Sequence, residues 1–145
     1  MSIARRLLSI NAGDLRPFKF TIETTSNGTQ IELPITAPSG IQPNLTVSWG
    51  DGSSSTIISV TQADRFHTYT SSGTYQIIVS GYCPGFSVDN NPSYKNLYKS
   101  VDDWGVVQFE EVDFYGCGNL TTIPADGSNN AILNDGLNTV KRFNS

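Results

Sequence analysis

The stretch that decides the fold is Val47-Ser-Trp49-Gly50-Asp51-Gly52, in which a short alternating run ends in two glycines that flank an aspartate. Its first three residues alternate between apolar and polar, which is the period of a half-buried strand. The two glycines permit a tight turn with positive φ, and the aspartate between them is suited to accept hydrogen bonds from the nearby backbone. The stretch therefore predicts a strand that buries Trp49 and then turns sharply.

Alternating runs on both sides of this stretch predict further strands. They are separated by turn-forming residues, of which Ser26-Asn27-Gly28 is a hairpin signal. The predicted strands cover, in chain order, residues 18–23, 30–35, 45–49, 55–60, 66–69 and 74–79. Short strands at this spacing, with no long stretch of 3.6-residue period, are typical of an all-β sandwich.

The composition agrees with an all-β protein. The 145 residues are enough for one domain, or for one domain with part of another. Charged residues make up 15% of the chain, against ~25% in an average domain. The chain instead contains 17 Ser, 14 Thr and 12 Asn, which argues against a helical bundle.

Charge and residue counts exclude several classes of function. The net charge of −4 and a pI near 4.7 argue against nucleic-acid binding, which needs a basic surface. One histidine excludes a multi-histidine metal site, and two cysteines are too few for a four-cysteine zinc site. We therefore expect no metal and no cofactor.

Three blocks of the sequence resemble the signature of the PKD domain, which reads W-G-D-G, then H-x-Y, then G-x-Y-x-V. They are Trp49-Gly50-Asp51-Gly52, His67-Thr-Tyr69 and Gly73-Thr-Tyr75-Gln-Ile77, within residues 18–81. The resemblance implies an immunoglobulin-like β-sandwich. It implies little about function, because sandwiches of this type serve as spacers and adhesion modules with many partners.

Each signature side chain has a structural interpretation. Trp49 is expected in the core as the large inward residue of its strand. Asp51 is expected to hold the turn, with a cation ligand as the alternative. His67 lies between the aromatic residues Phe66 and Tyr69, so a structural histidine is expected. Tyr75 is expected to anchor the corner of the sandwich through its hydroxyl.

The pattern changes after Gly81. Residues 82–96 are a loop-rich connector, and residues 97–145 place apolar side chains as leucine-rich repeats do. Val112 and Val140 lie 28 residues apart, within the ~20–29-residue period of such repeats. With residues 1–16 as an arm and residues 17–81 as the sandwich, the chain divides into four predicted segments.

The last segment resembles the BspA-like repeats of bacterial and phage surface proteins. The resemblance is carried by Trp104-Gly105 and by the block Gly116-Cys117-Gly-Asn-Leu120-Thr-Thr-Ile-Pro124. One repeat and the start of a second are present, whereas about three are usually needed to bury an apolar face. Two explanations stay open: a longer protein of which this is the front part, or a partner that completes the stack.

The sequence offers little support for an enzyme. Cys117 is expected to point into the repeat and Cys83 lies in the connector, so we expect two structural thiols, with a disulfide as the alternative. The candidate base, His67, belongs to the sandwich signature. Glu110 and Glu111 are adjacent, so on a strand they point to opposite faces and cannot act as an acid/base pair. No nucleophile elbow, P-loop or dinucleotide motif is present.

The first candidate partner contacts lie in the arm. Its apolar run is four residues long and interrupted by Ser9, too short for a signal peptide, and no stretch is long enough for a membrane helix. We expect the arm to dock on a neighbouring subunit, with a frayed tail as the alternative. The contact residues would be Ile3, Arg5, Arg6, Leu7 and Leu8.

The second candidate contacts are aromatic residues of the connector and its borders. Tyr82 and Phe86 lie there, and the predicted partner contacts are Tyr94 and Tyr98. Exposed rings of this kind stack on sugars or fill protein pockets. The alternative is that these rings pack between the sandwich and the first repeat.

These observations favour a non-enzymatic structural or binding protein of a virion surface: a phage capsid-decoration, head-fibre or tail-fibre component. PKD-like and BspA-like units usually work outside cells, yet the chain begins at Met1 without an export signal. A phage particle assembles in the cytoplasm and leaves by lysis, so it needs none. A bacterial cell-surface adhesin fragment is the alternative.

The expected partners follow from this interpretation. They are other virion structural proteins, further copies of the chain in a homo-oligomer, and a host-surface glycan or protein. Nucleic acid and membrane insertion are not expected.

Overall fold

The described part of the chain is built from β-strands and turns, so the predicted all-β class is confirmed. The computed structural model describes residues 16–88, 92–106, 109–124 and 141–143. The strands are β1 (Phe18–Thr24), β2 (Thr29–Glu32), β3 (Ile35–Thr36), β4 (Asn44–Ser48), β5 (Ser54–Ile57), β6 (Phe66–Tyr69), β7 (Gly73–Tyr82), β8 (Gly85–Ser87), β9 (Tyr98–Asp103), β10 (Glu111–Phe114) and β11 (Lys141–Phe143). Short 3-10 helices cover Ala63–Arg65 and Pro92–Leu97.

The largest sheet has five antiparallel strands in the order β5-β4-β7-β1-β9. In its centre Phe20 lies opposite Ile77 of β7 and opposite Val101 of β9. The alternation predicted for β1 is present, because Phe18, Phe20 and Ile22 are buried while the residues between them are half-buried. One face of this sheet therefore forms a wall of the core.

The second sheet is mixed and has the order β11-β10-β8-β3. Here β10 runs parallel to both β8 and β11, with Val112 opposite Phe86 and opposite Lys141. Paired residues of β8 and β10 are thus 26 residues apart along the chain, and paired residues of β10 and β11 are 29 apart. The predicted offset was 28, between Val112 and Val140, and Val140 lies outside the described residues. The stack also starts one strand earlier than predicted, at β8 within the expected connector.

The smallest sheet consists of β2 and β6, which run antiparallel. The predicted hairpin at Ser26–Gly28 is wrong, because β1 pairs with β7 and β9 while β2 pairs with β6. Gly28 has a φ of 77° and donates its N–H to the Tyr69 carbonyl at 2.9 Å. Both edges of β1 are occupied, so this turn carries the chain out of the five-stranded sheet and into the smallest one.

One apolar cluster joins the three sheets. At its centre Phe18 stacks on Trp104 with ring centroids 5.8 Å apart. The same ring meets Phe86 and Phe109 edge-on at 5.3 and 5.2 Å. Residues on both sides of the predicted boundaries at Gly81 and Asn96 therefore share this core, and β9 belongs to the same sheet as β1.

The outer edge of β9 is covered by the segment that follows Cys117. Ser100 forms a parallel bridge with Thr122, and the Val101 N–H donates to the Thr122 carbonyl at 2.9 Å. This pairing anchors the repeat-like block to the five-stranded sheet. No helix among the described residues is long and apolar enough to span a membrane.

Candidate functional site

The turn after β4 is held together around Trp49, whose side chain is fully buried as predicted. Its indole N–H donates to the Ser55 hydroxyl at 3.0 Å, and its carbonyl accepts the Tyr69 hydroxyl at 2.8 Å. Gly50 has a φ of 87°, and a Cβ there would lie 2.6 Å from the Gln76 carbonyl oxygen. Glycine is thus required at position 50 by both backbone conformation and space.

Asp51 occupies the tip of this turn. Its carboxylate accepts the Ser53 N–H at 3.0 Å, the Ser53 hydroxyl at 2.5 Å and a contact from His67 Nε2 at 2.7 Å. Burial by itself raises the pKa of this carboxyl, but the hydrogen bonds and the His67 charge outweigh it and lower the pKa to about 2. The expected turn-holding role is confirmed by these hydrogen bonds.

His67 is brought to Asp51 by the tertiary structure, from sixteen residues along the chain. Its ring stacks on Trp49 at 4.7 Å with an interplanar angle of 10°, and it meets Tyr69 edge-on at 4.7 Å. These contacts favour the expected structural role. The carboxylate partner was missed because Asp51 is distant in sequence.

The second and third signature blocks meet at the tyrosines. Tyr69 is fully buried and stacks on Tyr75 with centroids 4.0 Å apart. The Tyr75 hydroxyl donates to the Ser71 carbonyl at 2.7 Å, so it holds the turn that precedes β7. Gly73 opens β7 and donates its N–H to the Thr24 hydroxyl at 3.0 Å, joining β7 to the end of β1.

The Asp51, His67 and Ser53 side chains do not form a nucleophilic relay. In such a relay the carboxylate holds one ring nitrogen and the hydroxyl the other. Here Asp51 and Ser53 both face Nε2, at 2.7 and 3.5 Å. No three Cys, His, Asp or Glu side chains gather as a metal site within the described ranges.

The repeat-like signature residues lie in turns that pack on the core. Cys117 is fully buried, and its carbonyl accepts the N–H of the half-buried Leu120 at 3.0 Å. The Pro124 carbonyl accepts the indole N–H of Trp104 at 3.1 Å. The two tryptophan-containing motifs of the chain thus use indole N–H groups to fix the turns beside them.

Both cysteines are buried free thiols, so the alternative of a disulfide between them is not formed. Burial raises the pKa of Cys83 to about 12, against a smaller lowering by a hydrogen bond with the Gly85 backbone. Burial likewise raises the pKa of Cys117 to about 11. A thiol with such a pKa stays protonated at neutral pH and is a poor nucleophile.

The aromatic residues of the connector and its borders differ in their exposure. Tyr98 as a surface contact is wrong, because it is 3% exposed and stacks on Phe20 at 5.5 Å. Phe86 is fully buried, and Tyr94 is half-buried against the core. Tyr82 stays exposed, with its hydroxyl donated to Glu110 Oε1 at 3.2 Å. The alternative, in which the rings pack between the predicted sandwich and the first repeat, therefore applies to Tyr98 and Phe86.

The adjacent carboxylates are used as acceptors at the junction of the sheets. Glu110 also accepts the Ser39 hydroxyl at 2.9 Å, and Glu111 accepts the Thr36 hydroxyl at 2.7 Å. Together they tie β3 and the segment after it to the start of β10. The other predicted partner contacts, Ile3, Arg5, Arg6, Leu7 and Leu8, lie outside the described residues.

Sequence reasoning missed the exposure of three apolar side chains at one end of the five-stranded sheet. Ile41 is 53% exposed, Ile58 is 61% exposed and Tyr82 is 38% exposed. A signal for it was present in the adjacent pair Ile57-Ile58. Neighbouring residues of a strand point to opposite faces, so only one of the two could be buried.

In comparisons with protein-family models, with curated proteins and with solved structures, nothing matches the chain. The resemblances to the PKD and BspA-like families therefore stay predictions from the sequence.

Proposed function

We propose that the chain is a non-enzymatic structural and binding protein of a virion surface, as a capsid-decoration, head-fibre or tail-fibre component of a phage. It would combine an immunoglobulin-like PKD sandwich with the start of a BspA-like repeat stack. Its partners would be other virion proteins, further copies of itself and a host-surface glycan or protein.

The observation that carries the proposal is the stack of parallel strands built on an antiparallel sheet. The offsets of 26 and 29 residues between β8, β10 and β11 lie close to the period of leucine-rich repeats. The antiparallel strand β3 closes the other side of β8, as a capping element of a repeat stack must. This combination favours a scaffold that presents surface.

The chemistry of the described side chains supports a structural role. The two thiols are buried and have raised pKa values, and the Asp51–His67 contact is placed to hold a turn. The best-connected polar side chains, such as Asp102, join strands to one another. Asp102 accepts hydroxyl groups of Thr21 and Ser100 at 2.5 and 2.6 Å and the Gln76 amide at 3.0 Å.

Labelling tests the proposed location. Gold-conjugated antibodies against the purified chain should decorate phage particles released by lysis, and mass spectrometry of the purified particles should detect the chain. The matched control is the same antibody pre-absorbed with the chain. If the antibodies label intact cells and leave the particles unlabelled, the result would support the cell-surface adhesin, and the virion proposal would be wrong.

A further inference from the structure

The five-stranded sheet has two outer edges, which are formed by β9 and β5. Such an edge presents backbone N–H and C=O groups with which a strand of another molecule can pair. The Thr121 N–H donates to the Lys99 carbonyl at 3.0 Å, and this bond and the bridge between Ser100 and Thr122 cover the edge of β9 with main chain. The sheet order places no described strand beyond β5, so the edge of β5 is covered differently.

The pairing of β5 with β4 shows which backbone groups of β5 face outward. Trp49 donates its N–H to the Ser53 carbonyl at 3.0 Å, and the β4–β5 register places these two residues opposite each other when it is continued. Hydrogen-bonded pairs alternate with non-bonded pairs in an antiparallel ladder. The next residues of β5 that bond to β4 are therefore Ser55 and Ile57, and the N–H and C=O groups of Thr56 point away from β4.

The usual protections of an edge strand are missing from β5. Charged side chains, prolines and bulges are the common ones. The sequence of β5 is Ser54-Ser-Thr-Ile57, which has neither charge nor proline, and its register with β4 runs without a shift. Ile58 follows directly and is 61% exposed, so an apolar side chain lies beside this edge.

The side chain of Gln62 lies on the edge of β5. Its Nε2 donates to the Thr56 carbonyl at 2.8 Å, and its Oε1 accepts the Ile58 N–H at 2.9 Å. One carboxamide thus pairs with a carbonyl and an N–H that a neighbouring strand would otherwise use. Nε2 also donates to Asp64 Oδ2 at 2.5 Å, so both hydrogens of the amide and its oxygen are engaged.

The turn that follows β5 returns Gln62 to the strand. The Gln62 N–H donates to the Ser59 carbonyl at 3.2 Å, and the Gln62 carbonyl accepts the Arg65 N–H at 3.3 Å. Gln62 precedes the 3-10 helix Ala63–Arg65, but its half-buried side chain makes no capping hydrogen bond to that helix. The backbone is therefore fixed on both sides of a carboxamide that is directed to β5.

We propose that the Gln62 carboxamide caps the edge of β5 and prevents a strand of another molecule from pairing there. In a solution of the pure chain, the strand most available to an open edge is β5 of a second copy. Two β5 strands carry no charges, so like-charge repulsion would not keep them apart. The inference does not depend on the proposed virion role, because the cap is a contact within one chain.

Amide hydrogen exchange followed by NMR tests the cap itself. Gln62→Met keeps the length of the side chain but removes the amide, so the Ile58 N–H should exchange about tenfold faster than in the natural chain. Gln42→Met is the matched control, because Gln42 Oε1 accepts the Val60 N–H at 3.0 Å, away from the outward groups of β5. In the control the exchange rate of the Ile58 N–H should be unchanged.

Analytical ultracentrifugation at several concentrations tests the consequence. Gln62→Met should associate about tenfold more tightly than the natural chain, because an incoming strand no longer has to displace the carboxamide. Gln42→Met should associate as the natural chain does. Adding Thr56→Lys to Gln62→Met should restore the association of the natural chain, because a lysine on an edge strand opposes pairing.

Circular dichroism checks that each variant is folded. Gln62→Asn is the second variant, since it keeps a polar residue before the 3-10 helix, withdraws the amide by one methylene and should act in the same direction. Unchanged exchange at Ile58 would show that Gln62 does not cap the edge. Faster exchange without tighter association, or tighter association that survives Thr56→Lys, would overturn pairing at β5. Every comparison is with the natural chain in solution, so a failure of particle labelling leaves this inference unaffected.

Discussion

Trp49 is the residue on which the turn between β4 and β5 depends. Its indole is buried, it hydrogen-bonds Ser55, and it forms the surface on which His67 stacks. An aromatic ring of this size contributes through its buried area and through its polar N–H together. The turn, the histidine and the buried tyrosine are therefore expected to lose their arrangement together when the indole is removed.

Changing Trp49→Ala should lower the free energy of unfolding by ~3–5 kcal/mol, because it leaves a large cavity and an unpaired Ser55 hydroxyl. Urea denaturation followed by circular dichroism measures this. Tyr115→Ala removes a ring that is 44% exposed and should cost less than ~1 kcal/mol. A comparable small loss for Trp49→Ala would show that the indole is not part of the core.

Asp51 makes the free energy of unfolding depend on pH in the acidic range. Its pKa is about 2 in the folded chain and 3.8 without the fold, so the ionised carboxylate stabilises the folded state above pH 3.8. This contribution is lost as the pH falls from 3.8 through about 2. The difference in unfolding free energy between the natural chain and Asp51→Asn should therefore shrink below pH 4.

Urea denaturation across a pH series measures that difference. Ser53→Ala removes one hydroxyl donor to the carboxylate and should reduce the acid-dependent contribution without abolishing it. If the natural chain and Asp51→Asn lose stability in parallel between pH 5 and pH 2, ionisation of Asp51 does not stabilise the fold.

At the scale of elements, β8 links the repeat-like strands to the rest of the fold. It is three residues long and entirely buried, with β3 antiparallel on one side and β10 parallel on the other. Close approach of β3 depends on Gly85, since a Cβ there would lie 2.0 Å from the Thr36 hydroxyl oxygen. That hydroxyl in turn donates to Glu111 of β10.

Changing Gly85→Ala should destabilise the chain by ~1–3 kcal/mol, because the added methyl group overlaps Thr36 and forces the strands apart. Thermal unfolding measures the effect, and adding Thr36→Ala should recover part of it. Gly118→Ala is the matched control, since no atom lies within 4 Å of a Cβ at that position. Equal melting temperatures for both alanine variants would contradict the observed packing of β3 on β8.

At the scale of the whole molecule, the predicted sandwich and the predicted repeat share one core. Phe18 of β1 packs on Trp104, and Phe20 of β1 packs on Tyr98 of β9. Separate domains would each have their own core and could unfold independently. The shared packing instead indicates one cooperative unit.

Two single-tryptophan variants test this. Trp104→Phe leaves Trp49 as the reporter of the first half, and Trp49→Phe leaves Trp104 as the reporter of the second. For each variant, the fluorescence midpoint in urea should coincide with the midpoint from circular dichroism, because both halves unfold together. A fluorescence transition separate from the main one would show independent domains.

Local pattern was enough to predict several elements from the sequence. The alternation in β1, the position of β6, the glycine-flanked turn after Trp49 and the buried state of that indole follow from neighbours along the chain. These features depend on strand periodicity and on backbone conformations that only glycine adopts readily. The all-β class follows from the same local rules.

The pairing of distant segments was decided only by the tertiary structure. Nothing local to residues 98–103 indicates that they pair with β1, and nothing near His67 indicates Asp51 as its partner. The offset between paired residues of β10 and β11 is 29 residues, one more than the spacing of apolar residues predicts. Strand order and register depend on which edges are free and which buried faces fit together, and these are properties of the assembled chain.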